Sequence, residues 1–415
     1  MQDHLGLLHW GSVWTFLNPP VTEPLFPNLR CLSAYESLMS KTKYLLYMPF
    51  PSLVSLDVWP GDENQDALQG YLESFFKSSP NIRRFSIKLE DPDIIIKFNN
   101  FFSHYICRWR DLQAVNCGSV TLDVDALMHL SYMPALTELS CTLALGTTLR
   151  RSDSPLFFPN LRHLTLDSKS LDPISRLLSR IRLPAITHLG VFVASRPSKQ
   201  GFSFFLASIQ TSVIGHTFQA LRFSEVSGME DVENIEDDPR PGLGFEDLKP
   251  CMAFSKLHYL DIDFSWDVEL TDSALLALVS AWPHLEHLFI NEERSWNMAG
   301  GITPDGLLQL LRTCPSLNQI ALTIDTEDYT EFHESPASLG LTLPPTFYID
   351  VLESCIEEES VPAMAAFLAA IAPRPDFLFC ADGCLYAERK AYDSKALWYE
   401  AYRRANVLLT QRSLN

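Results

Sequence analysis

The phrase FFPNLRHLTL, residues 157–166, occurs in close variants elsewhere in the chain. FPSLVSLDV occupies residues 50–58, and WPHLEHLFI occupies residues 282–290. Counted from the first apolar residue after the proline, positions 1, 4 and 6 are apolar in all three phrases. A phrase that recurs with its apolar positions in step is the signature of a repeat architecture, so the repeat decides the fold.

Eleven such units follow one another along the chain. Their first apolar residues are Leu29, Leu53, Ile82, Leu112, Leu136, Leu161, Ile186, Leu221, Leu257, Leu285 and Leu317. Most of the spacings lie in or near the range of about 20 to 29 residues that is typical of leucine-rich repeats. Each unit supplies one short strand whose leucines point into a shared core, and stacked units form one parallel sheet.

Helical patterns separate the strands. Residues 64–77, 271–282 and 303–313 carry apolar residues on one helical face, and Thr303 followed by Pro304 is a helix start signal. The sequence therefore predicts an α/β fold, a leucine-rich-repeat solenoid of the ribonuclease-inhibitor-like horseshoe type, with a concave parallel sheet and convex helices. A doubly wound nucleotide-binding fold also alternates strand and helix, but neither G-x-G-x-x-G nor G-x-x-x-x-G-K-[ST] occurs.

Three segments are expected. Residues 1–25 form an N-terminal cap or a truncated remnant, residues 26–341 form the solenoid, and residues 342–415 form a C-terminal repeat and helical cap. The repeat is interrupted at 225–249, a stretch with nine acidic residues. We expect this insertion to be a solvated, mobile loop, with an acidic docking strip for a basic partner as the alternative.

Composition limits the classes of partner. The 415 residues are 47% hydrophobic, and 32 basic against 51 acidic side chains give a net charge of -19, which disfavours nucleic acid. The nine cysteines are scattered, as in intracellular proteins with reduced thiols. Without a basic signal peptide or a long apolar span, we expect no membrane contact, a cytoplasmic or nuclear location and a monomer.

The sequence contains few motifs that could support catalysis or bind a metal. His284 and His287 form H-x-x-H, but residues three apart in a strand point to opposite faces, which disfavours joint metal ligation. Cys380 and Cys384 lack a second pair, so a turn between buried thiols is the simpler interpretation. No G-x-S-x-G phrase occurs. We therefore predict a non-enzymatic protein with no catalytic residue, no metal site and no cofactor.

The remaining strand positions, 3, 5 and 7, face away from the leucine core and build the concave surface. Candidate partner-binding residues on it are Asp57, Trp59, His163, Asp167, His188, Phe192, Tyr259, Asp261, Asp263, His287, Phe289 and Asn291. Aromatic side chains beside carboxylates are typical anchors of protein interfaces, although such side chains also pack on adjacent strands. The carboxylates of its C-terminal part indicate a protein partner with a basic segment.

The phrases LFPNLRCL and FFPNLRHLTL, the unit ending CPSLNQIAL, and the tail S-C-I-E-x-E-x-V-x-x-M-A-A-F-L-A-A-I-x-P at 354–373 together resemble F-box proteins of mushroom-forming fungi. The resemblance implies an N-terminal F-box that binds Skp1 in a cullin-based ubiquitin ligase, with repeats that select the substrate. No L-P-x-E-L-L-x-x-I-F phrase precedes the repeats, so the F-box itself is absent and Skp1 is expected as a partner only if an F-box is supplied.

Three functions remain open at this point. The first is the substrate-recognition repeat domain of an F-box-type ubiquitin ligase adaptor. The second is a free-standing leucine-rich-repeat scaffold or inhibitor without a ligase role. The third is a repeat protein that activates a small GTPase, which requires an exposed catalytic Arg or Asn that the sequence does not single out.

Overall fold

A computed structural model describes residues 26–35, 50–59, 72–73, 75–89, 95, 99, 102–143, 155–226, 242–292, 296, 301–333, 341, 343–344, 346–352, 354–372, 374, 377–380 and 389–414. The chain divides into two compact units, one of residues 1–169 and 176–186 and the other of residues 170–175 and 187–415. The predicted cap at residues 1–25 lies outside the described residues.

The first unit contains a parallel sheet. Its strands, in spatial order, are β1 (Cys31–Tyr35), β2 (Ser55–Trp59), β3 (Arg84–Ile87), β4 (Ala114–Thr121), β5 (Glu138–Leu143) and β7 (His163–Ser168). Two short strands, β6 (Leu156–Phe157) and β8 (Ile181–Arg182), pair separately. Helix α1 (Val124–Ser131) precedes β5, and helix α2 (Leu171–Leu178) has residues in both units.

The second unit contains a parallel sheet of the same kind. Its strands, in spatial order, are β9 (His188–Val193), β10 (Ala220–Glu225), β12 (Tyr259–Asp263), β14 (His287–Ile290), β15 (Gln319–Ala321), β16 (Tyr348–Asp350) and β17 (Leu378–Cys380). β11 (Gly242–Leu243) pairs separately with β13 (Asp267–Val268). The helices are α3 (Lys199–Ser212), α4 (Phe245–Leu248), α5 (Asp272–Val279), α6 (Pro304–Thr313), α7 (Val361–Ile371) and α8 (Arg389–Leu414).

One backbone contact recurs from repeat to repeat. The carbonyl of Arg30, just before β1, accepts hydrogen bonds from the N–H groups of both Val54 and Ser55, at 2.8 and 2.9 Å. The carbonyls at the same place in later repeats do likewise, namely those of Val54, Arg83, Gln113, Thr137, Thr187, Gln219, His258 and Glu286. With the parallel strand order, this periodic bond confirms the leucine-rich-repeat α/β solenoid.

The leucine positions of the repeat build the core. In β7, every second side chain is buried, and Leu161, Leu164 and Leu166 are all buried. The helices begin where their capping residues predict. The hydroxyls of Thr271 and Thr303 accept the backbone N–H groups three residues further on, which supplies partners for otherwise unpaired donors.

Asparagine after the repeat proline couples neighbouring turns. The Asn81 side chain donates to the carbonyl of Pro51 at 3.0 Å, and Asn160 donates to that of Pro134 at 2.8 Å. In both pairs, the acceptor is the proline that opens the preceding unit. The P-N dipeptide is therefore a connector between repeats as well as a turn signal.

The eighth unit corrects the predicted alignment. Leu221 pairs in register with Leu189 and Leu260, which are position 4 of their own repeats. Leu221 is therefore position 4 as well, and the fully buried Phe218 is position 1. Ser224 is then position 7 and lies on the opposite face of β10 from the leucine positions, because side chains alternate along a strand.

The acidic insertion is also shorter than predicted. Glu225 is the last residue of β10 and is buried, and its carboxylate accepts from the backbone N–H and the hydroxyl of Ser265. Asp247, in α4, is buried and accepts from the Gly244 N–H and the Lys199 ammonium. Residues 227–241 lie outside the described residues, so the loop and docking-strip interpretations apply only there.

The C-terminal tail continues the repeats. β16 and β17 extend the sheet of the second unit beyond β15. Helix α8 packs against α7, and the indole of Trp398 donates to the carbonyl of Ser354 at 2.9 Å. Among the helices that the structure describes, none is both long and apolar enough to cross a membrane.

Candidate protein-binding surface

The side chains of the sheet strands that point away from the leucine core form what we call the sheet face of each unit. Because the strands are parallel and in register, equivalent repeat positions form rows across each sheet. In the second unit, one row runs through Tyr259, His287, Gln319 and Tyr348, and the next runs through Arg222, Asp261, Phe289, Ala321 and Asp350.

The sheet face of the first unit holds four of the predicted residues. His163 is exposed, while Asp57, Trp59 and Asp167 are half-buried. The ammonium of Lys88 lies 4.2 Å from the centre of the Trp59 ring. This cation–π contact holds the indole in place on the face.

An aromatic cluster lies at the centre of the second unit's sheet face. The ring centroid of Tyr259 lies 5.4 Å from that of His287 and 5.9 Å from that of Phe289, whose ring meets the tyrosine edge to face. Tyr259 and His287 are half-buried, whereas Phe289 is only 6% exposed.

A charged network borders this cluster. The hydroxyl of Tyr259 donates to Oδ2 of Asp261 at 3.0 Å, and Nε of Arg222 lies 3.0 Å from the same oxygen. Burial, followed by the charge of Asp261, raises the pKa of Tyr259 above its ordinary value, so the phenol stays protonated and remains a donor. The guanidinium of Arg222 also lies 5.5 Å from the centre of the Phe192 ring.

Several predicted residues are less accessible than expected. Asp261, Asp263 and Phe289 are buried, so the expectation that these positions face solvent is wrong. Side chains of adjacent strands contact two of them, Arg222 at Asp261 and Tyr259 at Phe289. His188, by contrast, is exposed, and Phe192 is half-buried.

Asn291 does not belong to the sheet face. β14 ends at Ile290, and Asn291 adopts a positive φ of 53°, which ends the alternation of the strand. Its side chain is fully buried, with Oδ1 accepting from the N–H of Phe264 and Nδ2 donating to the carbonyl of Trp266. Asn291 is therefore a structural residue that bridges two repeats.

Few groups in the described part of the chain have potential for catalysis or metal binding. His284 stacks on His258, with ring centroids 5.8 Å apart, and in the described residues no three His, Cys, Asp or Glu side chains form a potential metal site. Burial raises the pKa of Cys251 to about 12 and that of Cys314 to about 11, so these thiols stay protonated. Cys384 lies outside the described residues.

A polar cavity of about 470 Å³ lies beside the turns that open the first four repeats. Its lining residues are Asn28, Arg30, Pro51, Ser52, Val54, Asn81, Arg83 and Asp111. It is distinct from the sheet face, because its residues precede the strands.

Sequence reasoning missed Arg222 and the pair Tyr348 and Asp350. Arg222 was overlooked because its repeat was aligned three residues too late. Tyr348 donates to Asp350 at 3.1 Å, which repeats the relation of Tyr259 to Asp261. The recurring Y-x-D phrase was a signal that could have revealed the second pair.

No family model and no curated protein matches the chain. Among solved structures, an internalin of Listeria monocytogenes is similar to it at 14% identity and a TM-score of 0.29, over 68% of this chain and 70% of the internalin. The structure of the yeast Rad7 and Elc1 complex is similar at 14% identity and a TM-score of 0.41, over 80% of this chain and 78% of that one.

Proposed function

We propose that the protein is a protein-interaction module, the substrate-recognition repeat domain of an F-box-type ubiquitin ligase adaptor. One observation carries the interaction role. Aromatic, imidazole and charged side chains occupy consecutive strands of the sheet face, where neighbouring side chains already hold several of them in place. Tyr259, held by Asp261 and packed against His287, is the centre of this arrangement.

The preorganisation of these side chains favours binding. A side chain that is immobilised before the partner arrives loses little conformational entropy on binding. The rings of Trp59 and Phe192 are held by cationic neighbours, and the ring of Tyr259 is held by a hydrogen bond. Aromatic side chains of this kind are frequent hot spots of protein interfaces.

The ligase role is supported by the repeat phrases and the tail at residues 354–373, which resemble those of F-box proteins. The alternative is a free-standing scaffold or inhibitor that uses the same face. The two roles differ in what accompanies the bound partner, because an adaptor brings Skp1 and a cullin with it.

Affinity purification of the tagged chain from its own cells, followed by mass spectrometry, tests both levels. The variant carries His188→Ala together with Phe192→Ala on the sheet face. The matched control is Tyr132→Ala, which removes a 79% exposed aromatic side chain beyond the end of α1. We expect a partner that the wild type and the control retain and the double variant loses.

The outcomes separate the roles. Skp1 and a cullin among the retained proteins support the adaptor, whereas their absence beside another enriched protein supports the free-standing scaffold. A partner that binds the double variant as well as the wild type contradicts a role for this part of the sheet face.

A further inference from the structure

A notch lies on the sheet face of the first unit, where β4 carries glycine in place of a side chain. A β-carbon built on Gly118 would lie 3.3 Å from Oγ of Ser140, 3.6 Å from Oδ2 of Asp167 and 4.0 Å from Oδ1 of Asn116. Three oxygen atoms from three strands therefore surround the space that a side chain at position 118 would fill. We call these four residues the Gly118 notch.

Among the residues that the structure describes, no group donates a hydrogen bond to the oxygens of the notch. Within the part of the chain that the structure describes, the side chains of Asn116, Ser140 and Asp167 make no hydrogen bond or ion pair. Asp167 is half-buried, so water solvates its carboxylate incompletely. A partly desolvated carboxylate without a donor gains more from a cationic ligand than a solvated one does.

Asp167 differs in this respect from two carboxylates on the sheet face of the second unit. Asp261 has the guanidinium of Arg222 and the hydroxyl of Tyr259. Asp350 accepts from the hydroxyl of Tyr348 and the backbone N–H of Leu352. Burial raises the pKa of Asp167 to about 6, so the carboxyl is still mostly ionised at neutral pH.

We infer that the Gly118 notch binds the primary ammonium of a lysine side chain supplied by a protein partner. An ammonium carries three N–H donors around one atom, which suits three oxygens arranged around one space. Arginine is a poorer match, because its planar fork pairs best with both oxygens of a single carboxylate. A bound Ca²⁺ or Mg²⁺ is disfavoured, because the notch offers a single carboxylate.

The inference rests on the proposed function, since a partner must supply the lysine. It moves the expected contact with a cation of the partner from the carboxylates in the C-terminal part of the concave surface to Asp167 in the first unit. Of the predicted carboxylates in the second unit, Asp261 already has a cation in Arg222 and Asp263 is buried, which leaves the half-buried Asp167 as a more accessible acceptor for a partner.

The test uses a displayed library of short random peptides, selected against the full-length chain. We expect the enriched peptides to share a lysine. Replacing that lysine with norleucine, which keeps the stem and removes the charge, should weaken binding by roughly ten-fold or more. Asp167→Asn should weaken binding of the parent peptide by a similar factor. In that variant, replacing the lysine with norleucine should hardly change the affinity further, as expected for directly coupled groups.

Two further variants sharpen the test. Gly118→Ala keeps the carboxylate but fills the notch with a methyl group, so it should weaken the lysine peptide as well. Asp125→Asn makes the same chemical change at an exposed aspartate in the first turn of α1, away from the sheet face, and should leave binding unchanged. Thermal unfolding of each variant reports whether the fold is retained.

The inference is overturned if the enriched peptides share no lysine, if nothing is enriched, or if the lysine and Asp167 contribute independently. Peptides that respond to His188→Ala with Phe192→Ala but not to Asp167→Asn would support the interaction module and reject the notch. A lysine peptide coupled to Asp167, together with a cellular partner that ignores the notch, would separate the site from the adaptor role.

Discussion

The hydroxyl of Tyr259 donates a hydrogen bond to Oδ2 of Asp261, two residues further along the same strand, over 3.0 Å. Alternate residues of a strand share a face, so this contact lies wholly on the sheet face. Arg222 approaches the same oxygen from the neighbouring strand. One carboxylate therefore holds both a tyrosine and an arginine in fixed positions.

Removing this carboxylate should affect stability. We expect Asp261→Ala to lower the free energy of unfolding by about 1 to 2 kcal/mol, because the half-buried Tyr259 hydroxyl loses its acceptor. Urea denaturation followed by circular dichroism measures the change. His188→Ala, an exposed change on the same face, should stay within about 0.5 kcal/mol. Equal stability of Asp261→Ala and wild type would show that the network contributes nothing.

Truncating a leucine of the core should lower the free energy of unfolding more than removing Asp261 does, in either unit. Leu164→Ala and Leu288→Ala should each destabilise by about 2 to 5 kcal/mol, since both side chains are buried and truncation leaves a cavity. Urea denaturation followed by circular dichroism in the near and far ultraviolet measures this loss of stability. His163→Ala, one residue away and exposed, is the control. A loss below about 1 kcal/mol at either leucine would mean that the site collapses around the smaller residue.

The core was predictable from the sequence because its signal is local. Positions 1, 4 and 6 recur within each phrase, so no knowledge of neighbouring strands is needed. The start of α6 was likewise predictable, since Thr303 and Pro304 act on adjacent backbone groups.

The sheet face was less predictable, because its contacts depend on lateral register. Arg222 meets Asp261 only when Leu221 is aligned with Leu260, and the eighth repeat hides this alignment by using Phe218 in place of leucine. Burial of Phe289 also depends on the neighbouring strand, which carries Tyr259. A single repeat phrase therefore reveals which side chains point away from the core. It does not reveal which of these side chains are covered by residues of neighbouring strands.

Asn291 shows a further limit, because the strand period stops before it. We expect Asn291→Ala to destabilise the fold by roughly 2 to 5 kcal/mol. The buried N–H of Phe264 and the carbonyl of Trp266 would both lose their hydrogen-bond partner. In addition, alanine would have to adopt a positive φ without the side-chain hydrogen bonds that let asparagine do so. Differential scanning calorimetry measures the loss.

Two companion variants separate these contributions at position 291. Asn291→Gly relieves the backbone cost while still losing both hydrogen bonds, so it should be less damaging than alanine. Asn291→Asp keeps an acceptor for Phe264 and loses the donor to Trp266. If alanine and glycine are both neutral, the bridge between repeats does not stabilise the fold.

Asp167 should give the first unit a distinct dependence on pH. Burial raises the pKa of its carboxyl in the folded state to about 6, above the value of about 3.9 in an unfolded chain. Between these two values, the folded state binds more protons than the unfolded state, so this group makes stability fall as pH rises from about 4 to 6. Above pH 6, the full cost of the buried charge is present, on the order of 3 kcal/mol.

Asp167→Asn removes this titration while leaving His163 and Glu138, the titratable side chains on the sheet face of β7 and β5, in place. We therefore expect the variant to gain stability relative to wild type as pH rises from 4 to 7, with a constant difference at higher pH. Urea denaturation at closely spaced pH values, with Asp57→Asn as the matched control, measures that difference. A difference between Asp167→Asn and wild type that does not change with pH would show that the carboxyl of Asp167 titrates as it does in water.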